Sequence, residues 1–175
     1  MPLKTSPMQS PKSIFLITAL IISGLNAGFY FAWQVSVIPG TKKIGHTAFL
    51  ETMQSINRAI LNPAFFAIFL GGLILLLWTT IQLYGEGRSF NYSLAALALY
   101  VFGTLGITIG GNVPLNNMLD AVNLESLDVY SAKQLRHQFE GRWNRLHLLR
   151  TIFALLSFLM IALSNASYFL SLNNE

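Results

Sequence analysis

Residues 143–151 read WNRLHLLRT, and Trp143, His147 and Arg150 stand at i, i+4 and i+7. On a helix they share one face, with Asn144 and Thr151 at its flanks. That face sets an aromatic platform, a titratable imidazole and a guanidinium side by side. Together they can receive a molecule with an apolar body and a few oxygen atoms. A plainer reading competes with this one. Trp143 and Arg145 also suit an interfacial belt and anchor, and His147 a satisfied structural histidine.

Three further polar groupings sit where an apolar chain has least use for them. Ser23, Asn26, Tyr30, Trp33 and Gln34 fall at offsets 0, 3, 7, 10 and 11, one helical stripe within an otherwise apolar run. Amides turned toward lipid would lose their partners at a cost on the order of several kcal/mol each, so the stripe faces the protein interior. Its plainest use is hydrogen bonding between helices. The stretch GGNVPLNNML brings Asn112, Asn116 and Asn117 around Pro114, and HTAFLETMQSINRAIL brings Gln54, Asn57 and Arg58. Pro114 restricts Val113 to extended geometry and so ends the helix before it, while Asn116 caps the next segment. Asparagine offers donors and an acceptor without a charge to desolvate. If these groupings meet, they enclose a cavity for a largely apolar molecule bearing carbonyl or hydroxyl groups. If they do not, the asparagines only cap helix ends.

The elements that must bring them together follow from composition. Of 175 residues, 53% are hydrophobic and only 10% charged, against about 25% charged in a soluble domain. The mean hydropathy is +0.53. Four apolar stretches approach the roughly 20 residues a bilayer requires. They are about Ile14–Ile38, Pro63–Tyr84, Tyr92–Asn112 and Leu146–Leu170. The first carries Lys4 and Lys12 ahead of it, yet its apolar run continues too far for a cleaved leader, so it is read as a helix.

Residues 1–12 have the composition of a flexible tail, leaving 13–172 as one domain. Between the first two helices, Phe49, Met53, Ile56 and Ile60 mark a short amphipathic helix that lies on the membrane surface or caps the bundle. Asn62-Pro63 opens the second helix as cap and first position. Gly85-Glu86-Gly87-Arg88 is a tight turn. The longest linker is expected over Pro114–Arg145, with Ala132–Arg145 helical and able to run on into the last helix. The expected fold is therefore all-α: a four-transmembrane-helix bundle with a short amphipathic helix between helices 1 and 2. Both linkers lie at one end, the turn and termini at the other. All four polar groupings then fall at the linker end.

Two GxxxG motifs, Gly24–Gly28 and Gly106–Gly110, suit close helix packing, within the bundle or in a homo-oligomer. Lys42, Lys43, Arg58, Lys133, Arg136, Arg142, Arg145 and Arg150 lie toward the linkers and Lys4, Lys12 and Arg88 toward the termini. That asymmetry favours cytoplasmic linkers, but it disappears if Arg58, Arg142, Arg145 and Arg150 belong to a site. The chain has no cysteine, and its net charge of +4 is too scattered to argue for nucleic acid. His137 and Glu140 form an isolated HxxE without a further ligand group, so no metal is expected. Haem between two of the histidines is still less expected, and no nucleotide fingerprint is present, so no cofactor is assigned.

GLNAGFYFAWQVSVIPG, FLETMQSINRAILNP, GNVPLNNML and FEGRWNRLHLLRT, in this order and spacing over about residues 20–160, resemble the anthrone oxygenase-like integral membrane family. NxPLN and W-x3-H-x2-R are the most specific elements. The resemblance implies a small four-helix membrane protein, some fungal relatives of which oxidise polyketide anthrones. The brevity of the chain fits a bacterial member, in an inner membrane. It implies candidate catalytic residues His147 as base with Arg150 and Asn112 as stabilisers of an enolate oxygen. The motif positions Gln54, Asn57, Asn116 and Trp143, with Tyr30, Trp33, Gln34 and Arg58 from the polar groupings above, make up the expected substrate site. The expected partners are the bilayer and a small lipophilic substrate. A carbon acid deprotonated there reacts with dioxygen directly, so a cofactor-independent oxygenase fits. A non-catalytic pocket for an amphipathic ligand or a partner subunit fits the same residues.

Overall fold

The computed structural model describes residues 10–172, which contain no strand. In chain order the helices are α1 (Pro11–Thr41), α2 (His46–Ala59), α3 (Pro63–Gln82), α4 (Arg88–Asp120) and α5 (Val129–Leu172). All but α2 are long and apolar enough to cross a membrane. The protein is an all-helical, multi-pass membrane bundle. Outward-facing side chains such as Phe102 (79% exposed) and Ile74 (65%) are apolar, as a lipid-facing surface requires.

Local chemistry sets the helix starts. The Ser10 side chain accepts from Ser13 N–H ahead of Pro11, and Asn62 accepts from Phe65 N–H ahead of Pro63. Gly85 (φ 88°) and Gly87 (φ 54°) form the turn between α3 and α4, a conformation that costs other residues dearly. At the head of α5 the Asp128 carboxyl is held below its ordinary range by Ser131, first through the serine side chain and then through its N–H, which donates at 2.7 Å.

Two prolines behave differently from expectation. Pro39 lies inside α1 and Pro114 inside α4, and Val113 is helical (φ −61°, ψ −47°), not extended. Each proline follows a stretch of wide π-helical turns, Trp33–Val37 and Thr108–Asn112. Proline lacks an N–H and collides with the carbonyl four residues back, and a widened turn relieves both problems. The expected long linker therefore shrinks to residues 121–128, and Asn116 sits within a helix instead of capping one. Part of the expected tail falls on residues 1–9, outside the described residues. Of the rest, Ser10 is the extended N-cap and Pro11 and Lys12 begin α1, with Lys12 paired to Glu86 (2.5 Å).

α5 packs along α1 and α4, and α1 along α3. α3 meets α4 beside their shared turn, over residues 88–98, and parts from it toward the other end. α2 caps the bundle there. Phe49, Leu50 and Met53 of α2 are buried with Leu115, Leu119 and Phe139. Gln54 donates to the carbonyls of Leu119 and Val122, and Arg136 to those of Thr41, Lys42 and Ile44, which ties both linkers to one end.

The α1 stripe faces inward as predicted. Ser23, Asn26 and Tyr30 are buried, and Trp33 and Gln34 are half-buried. Asn26 donates to the Tyr100 hydroxyl (3.2 Å), which donates to the Phe69 carbonyl (2.6 Å). The GxxxG motifs are less informative. A Cβ at Gly24 would meet Phe158, while one at Gly28 or Gly110 would point into open space. The close approach of α4 to α5 is made at Gly103, where a Cβ would lie 2.1 Å from Phe153, and at Gly111, beside Leu146.

Candidate functional site

His147 is the centre of a small aromatic box. Its ring stacks flat on Trp143, four residues back on α5, with centroids 5.0 Å apart and planes within 4°. Tyr30 and Trp33 of α1 close two further sides, each 5.9 Å away. The side chain is 1% exposed.

Arg150 lies one turn further along α5. Its Nε and Nη2 reach His147 Nδ1 at 3.2 and 3.0 Å, and Nη1 reaches the Thr108 hydroxyl at 3.4 Å. Its guanidinium sits 4.9 Å from the Tyr30 ring centre and 5.3 Å from that of Trp143. A guanidinium only donates, so Nδ1 must accept. The imidazole proton then resides on Nε2, which faces the Tyr30 carbonyl at 3.2 Å. The contacts thus select one neutral tautomer and occupy both ring nitrogens.

Arg150 is buried and, among the described residues, forms no ion pair; the three ion pairs are Lys12–Glu86, Arg58–Asp120 and Arg136–Glu140. An isolated cation at such depth is costly, which marks Arg150 as a candidate site residue. Ring faces and neutral acceptors offset part of that cost.

The box forms the inner wall of a pocket of about 210 Å³. Tyr30, Trp33, Thr108, Trp143, His147 and Arg150 line its depth. Phe29, Leu61, Phe65 and Val113 make an apolar rim, and Asn57, Asn116 and Asn117 supply polar points. Leu61 and Phe65 belong to the start of α3 and its approach, and Val113 to α4. These are the two helices that part at this end. Arg58 and Asp120, joined at 2.5 Å and both substantially exposed, sit at the mouth.

Of the residues singled out from sequence, Tyr30, Trp33, Asn57, Arg58, Asn116, Trp143, His147 and Arg150 share this pocket. Asn116 also fixes the platform, since its Oδ1 accepts from Trp143 Nε1 at 2.8 Å. Three residues lie off the wall. Gln54 is committed to the α4 end. Gln34 is half-buried with its carbonyl oxygen unpartnered. Asn112 is wholly buried behind Trp143, donating to its carbonyl at 3.3 Å.

Sequence reasoning missed Thr108, Asp120, Phe29 and Phe65. Thr108 was the most accessible of these, because Thr104, Thr108 and Asn112 repeat every four residues on α4. Nothing in the local sequence marks Phe29 or Phe65 among so many apolar neighbours.

A planar apolar molecule with one or two oxygen atoms matches these walls. The walls offer ring faces, one guanidinium and a few amide and hydroxyl groups, inside an apolar rim. The volume lies below the roughly 300–1,000 Å³ of drug-sized sites. The model of a family described as anthrone oxygenase matches residues 51–160. No curated protein and no solved structure is detectably similar to the chain.

Proposed function

The chain belongs to the anthrone oxygenase family, and on that footing we propose that it is a membrane-embedded, cofactor-independent oxygenase acting on a lipophilic, carbonyl-bearing carbon acid. One observation carries the reading: a buried guanidinium without a carboxylate, set against a neutral imidazole inside an aromatic pocket. Such a cation awaits negative charge, and a carbon acid supplies it only once deprotonated.

In this reading His147 takes a proton from a methylene group next to the substrate carbonyl or conjugated with it. The electron pair moves to the carbonyl oxygen, which faces Arg150. The carbanion then reacts with dioxygen at carbon, giving a peroxide that loses water. The balance is CH₂ + O₂ → C=O + H₂O, with no electrons left over. Tyr30, Trp33 and Trp143 supply flat apolar surface for the rings. Asn112 is a positioning residue, acting through the backbone of Trp143. The protein works in a bacterial inner membrane, drawing substrate from lipid, with both linkers on the cytoplasmic side.

Dioxygen uptake by the purified protein in lipid nanodiscs, with anthrone as model carbon acid, tests this. Uptake with wild-type protein is expected to exceed the uncatalysed rate, and His147→Ala to lower it by about 10²–10⁴-fold, the usual contribution of a positioned base. Equal uptake by the two proteins would remove the assignment.

A second reading, a non-catalytic pocket for a small amphipathic ligand, draws support from the engagement of both His147 nitrogens. Saturable anthrone binding without dioxygen uptake selects it.

A further inference from the structure

For His147 to act as a base it needs a free lone pair, and between Tyr30 and Arg150 it has none. Nε2–H faces the Tyr30 carbonyl, and Nδ1 faces two donors of Arg150. That second contact is chemically mismatched. Nδ1 has one lone pair, while Nε and Nη2 form a two-pronged donor fork. A fork of that shape is better satisfied by two oxygens, or by one oxygen with negative charge. Nothing else holds the guanidinium strongly. The Thr108 contact is long at 3.4 Å, and the guanidinium lies over the Tyr30 and Trp143 rings at 4.9 and 5.3 Å, contacts that fix no N–H direction.

We infer that Arg150 is a ligand-operated cover on His147. In the empty pocket its fork occupies Nδ1. An entering ligand oxygen takes the fork and exposes Nδ1 beside the bound molecule. The inference rests on the proposed function and narrows its substrate class. The substrate must present an acceptor oxygen to the fork and an acidic C–H within reach of Nδ1. When the C–H bond breaks, its proton forms an N–H at Nδ1 and its electron pair passes to the oxygen on Arg150. The resulting imidazolium keeps its Nε2–H on the Tyr30 carbonyl. Lipids and other apolar molecules lacking that oxygen leave the base covered, so the site selects substrate by chemistry as well as shape.

Nitrogen NMR of protein carrying ¹⁵N-imidazole histidine reads this directly. The probe is 2-naphthoate, which is planar and lipophilic, presents two anionic oxygens and has no acidic C–H to react. In wild-type protein, adding it is expected to move the Nδ1 resonance of His147 downfield, toward that of an imine nitrogen without a donor. Nε2 should keep its proton, and His46 and His137 should not respond. Arg150→Gln is expected to show the shifted Nδ1 resonance without any probe. Should that variant fail to fold, the wild-type titration still decides. An Nδ1 resonance unmoved by saturating naphthoate, or no naphthoate binding at all, overturns the inference. Neither arm depends on turnover. A responsive Nδ1 without anthrone oxidation leaves the cover standing and removes the oxygenase. Anthrone oxidation with an unresponsive Nδ1 does the reverse.

Discussion

Two buried arginines on α5 differ in how fully the fold satisfies them. Arg136 has a full set of partners: the Glu140 carboxylate at 2.7 Å, carbonyls of Thr41, Lys42 and Ile44, and the Phe49 ring 4.3 Å from its guanidinium. Arg150 has an imidazole, one long hydroxyl contact and two ring faces. Removing the first leaves carbonyls and a part-buried carboxylate stranded. Arg136→Gln is therefore expected to destabilise the protein by roughly 3–5 kcal/mol, the cost of breaking a buried pair, read as an earlier unfolding midpoint in denaturant. Arg150→Gln is expected to leave that midpoint unchanged or raised, since it removes an unpaired buried charge. A large loss of stability there would make Arg150 structural too. The sequence cannot tell these residues apart, because Arg136 is satisfied by backbone more than 90 residues away. It does show Trp143, His147 and Arg150 on one face, because 3.6-residue spacing is local information.

At the scale of elements, the helical spans follow from apolar length, and the caps at Asn62 and the turn at Gly85–Arg88 follow from residue type. The prolines mislead because their effect depends on the turn before them. With π turns ahead of Pro39 and Pro114, α1 continues to Thr41 and α4 to Asp120, which places Asn116 within a helix. The small-residue contacts are equally non-local. Gly103, outside either GxxxG motif, is where α4 meets Phe153 of α5. Gly103→Ala is expected to cost about 1–3 kcal/mol through overpacking, whereas Gly28→Ala, with open space around it, should be neutral or slightly stabilising. Thermal unfolding in detergent compares them, and equal effects would contradict this packing. At the head of α5, the depressed carboxyl of Asp128 stabilises the fold when ionised. That contribution is complete above the ordinary carboxylate range and is lost as pH falls through the lowered folded-state value. Asp128→Ala is thus expected to lower the melting temperature near neutral pH and to match wild type in strong acid. A difference that persists in acid would place the effect elsewhere.

For the whole molecule, the organising fact is that α2 closes one end of a bundle whose α3 and α4 part there. Alternating apolar and polar segments make the four-helix bundle legible, and the polar groupings indicate which end matters. Which of them reach the pocket depends on tertiary geometry: Gln54 is used in docking α2, and Asn112 lies behind Trp143. Because the chain has no cysteine, single cysteines can report its sidedness. Ser55→Cys and Glu125→Cys are expected to react with an impermeant thiol reagent from one side of sealed vesicles, the cytoplasmic one, and Glu86→Cys from the other. Reaction of the two linker positions from opposite sides would break the topology.

The central claim, that this end binds a planar, oxygen-bearing lipophile through Arg150, has a built-in reporter. Trp33 and Trp143 line the pocket, and the remaining tryptophan, Trp78, does not. Titrating anthrone anaerobically into the Trp78→Phe protein in nanodiscs and monitoring tryptophan fluorescence is the most direct measurement. Saturable quenching at one site per chain is predicted, with affinity reduced about 10–100-fold by Arg150→Gln, as expected for loss of hydrogen bonds from a charged group. Non-saturable quenching, or an affinity indifferent to Arg150, would contradict it.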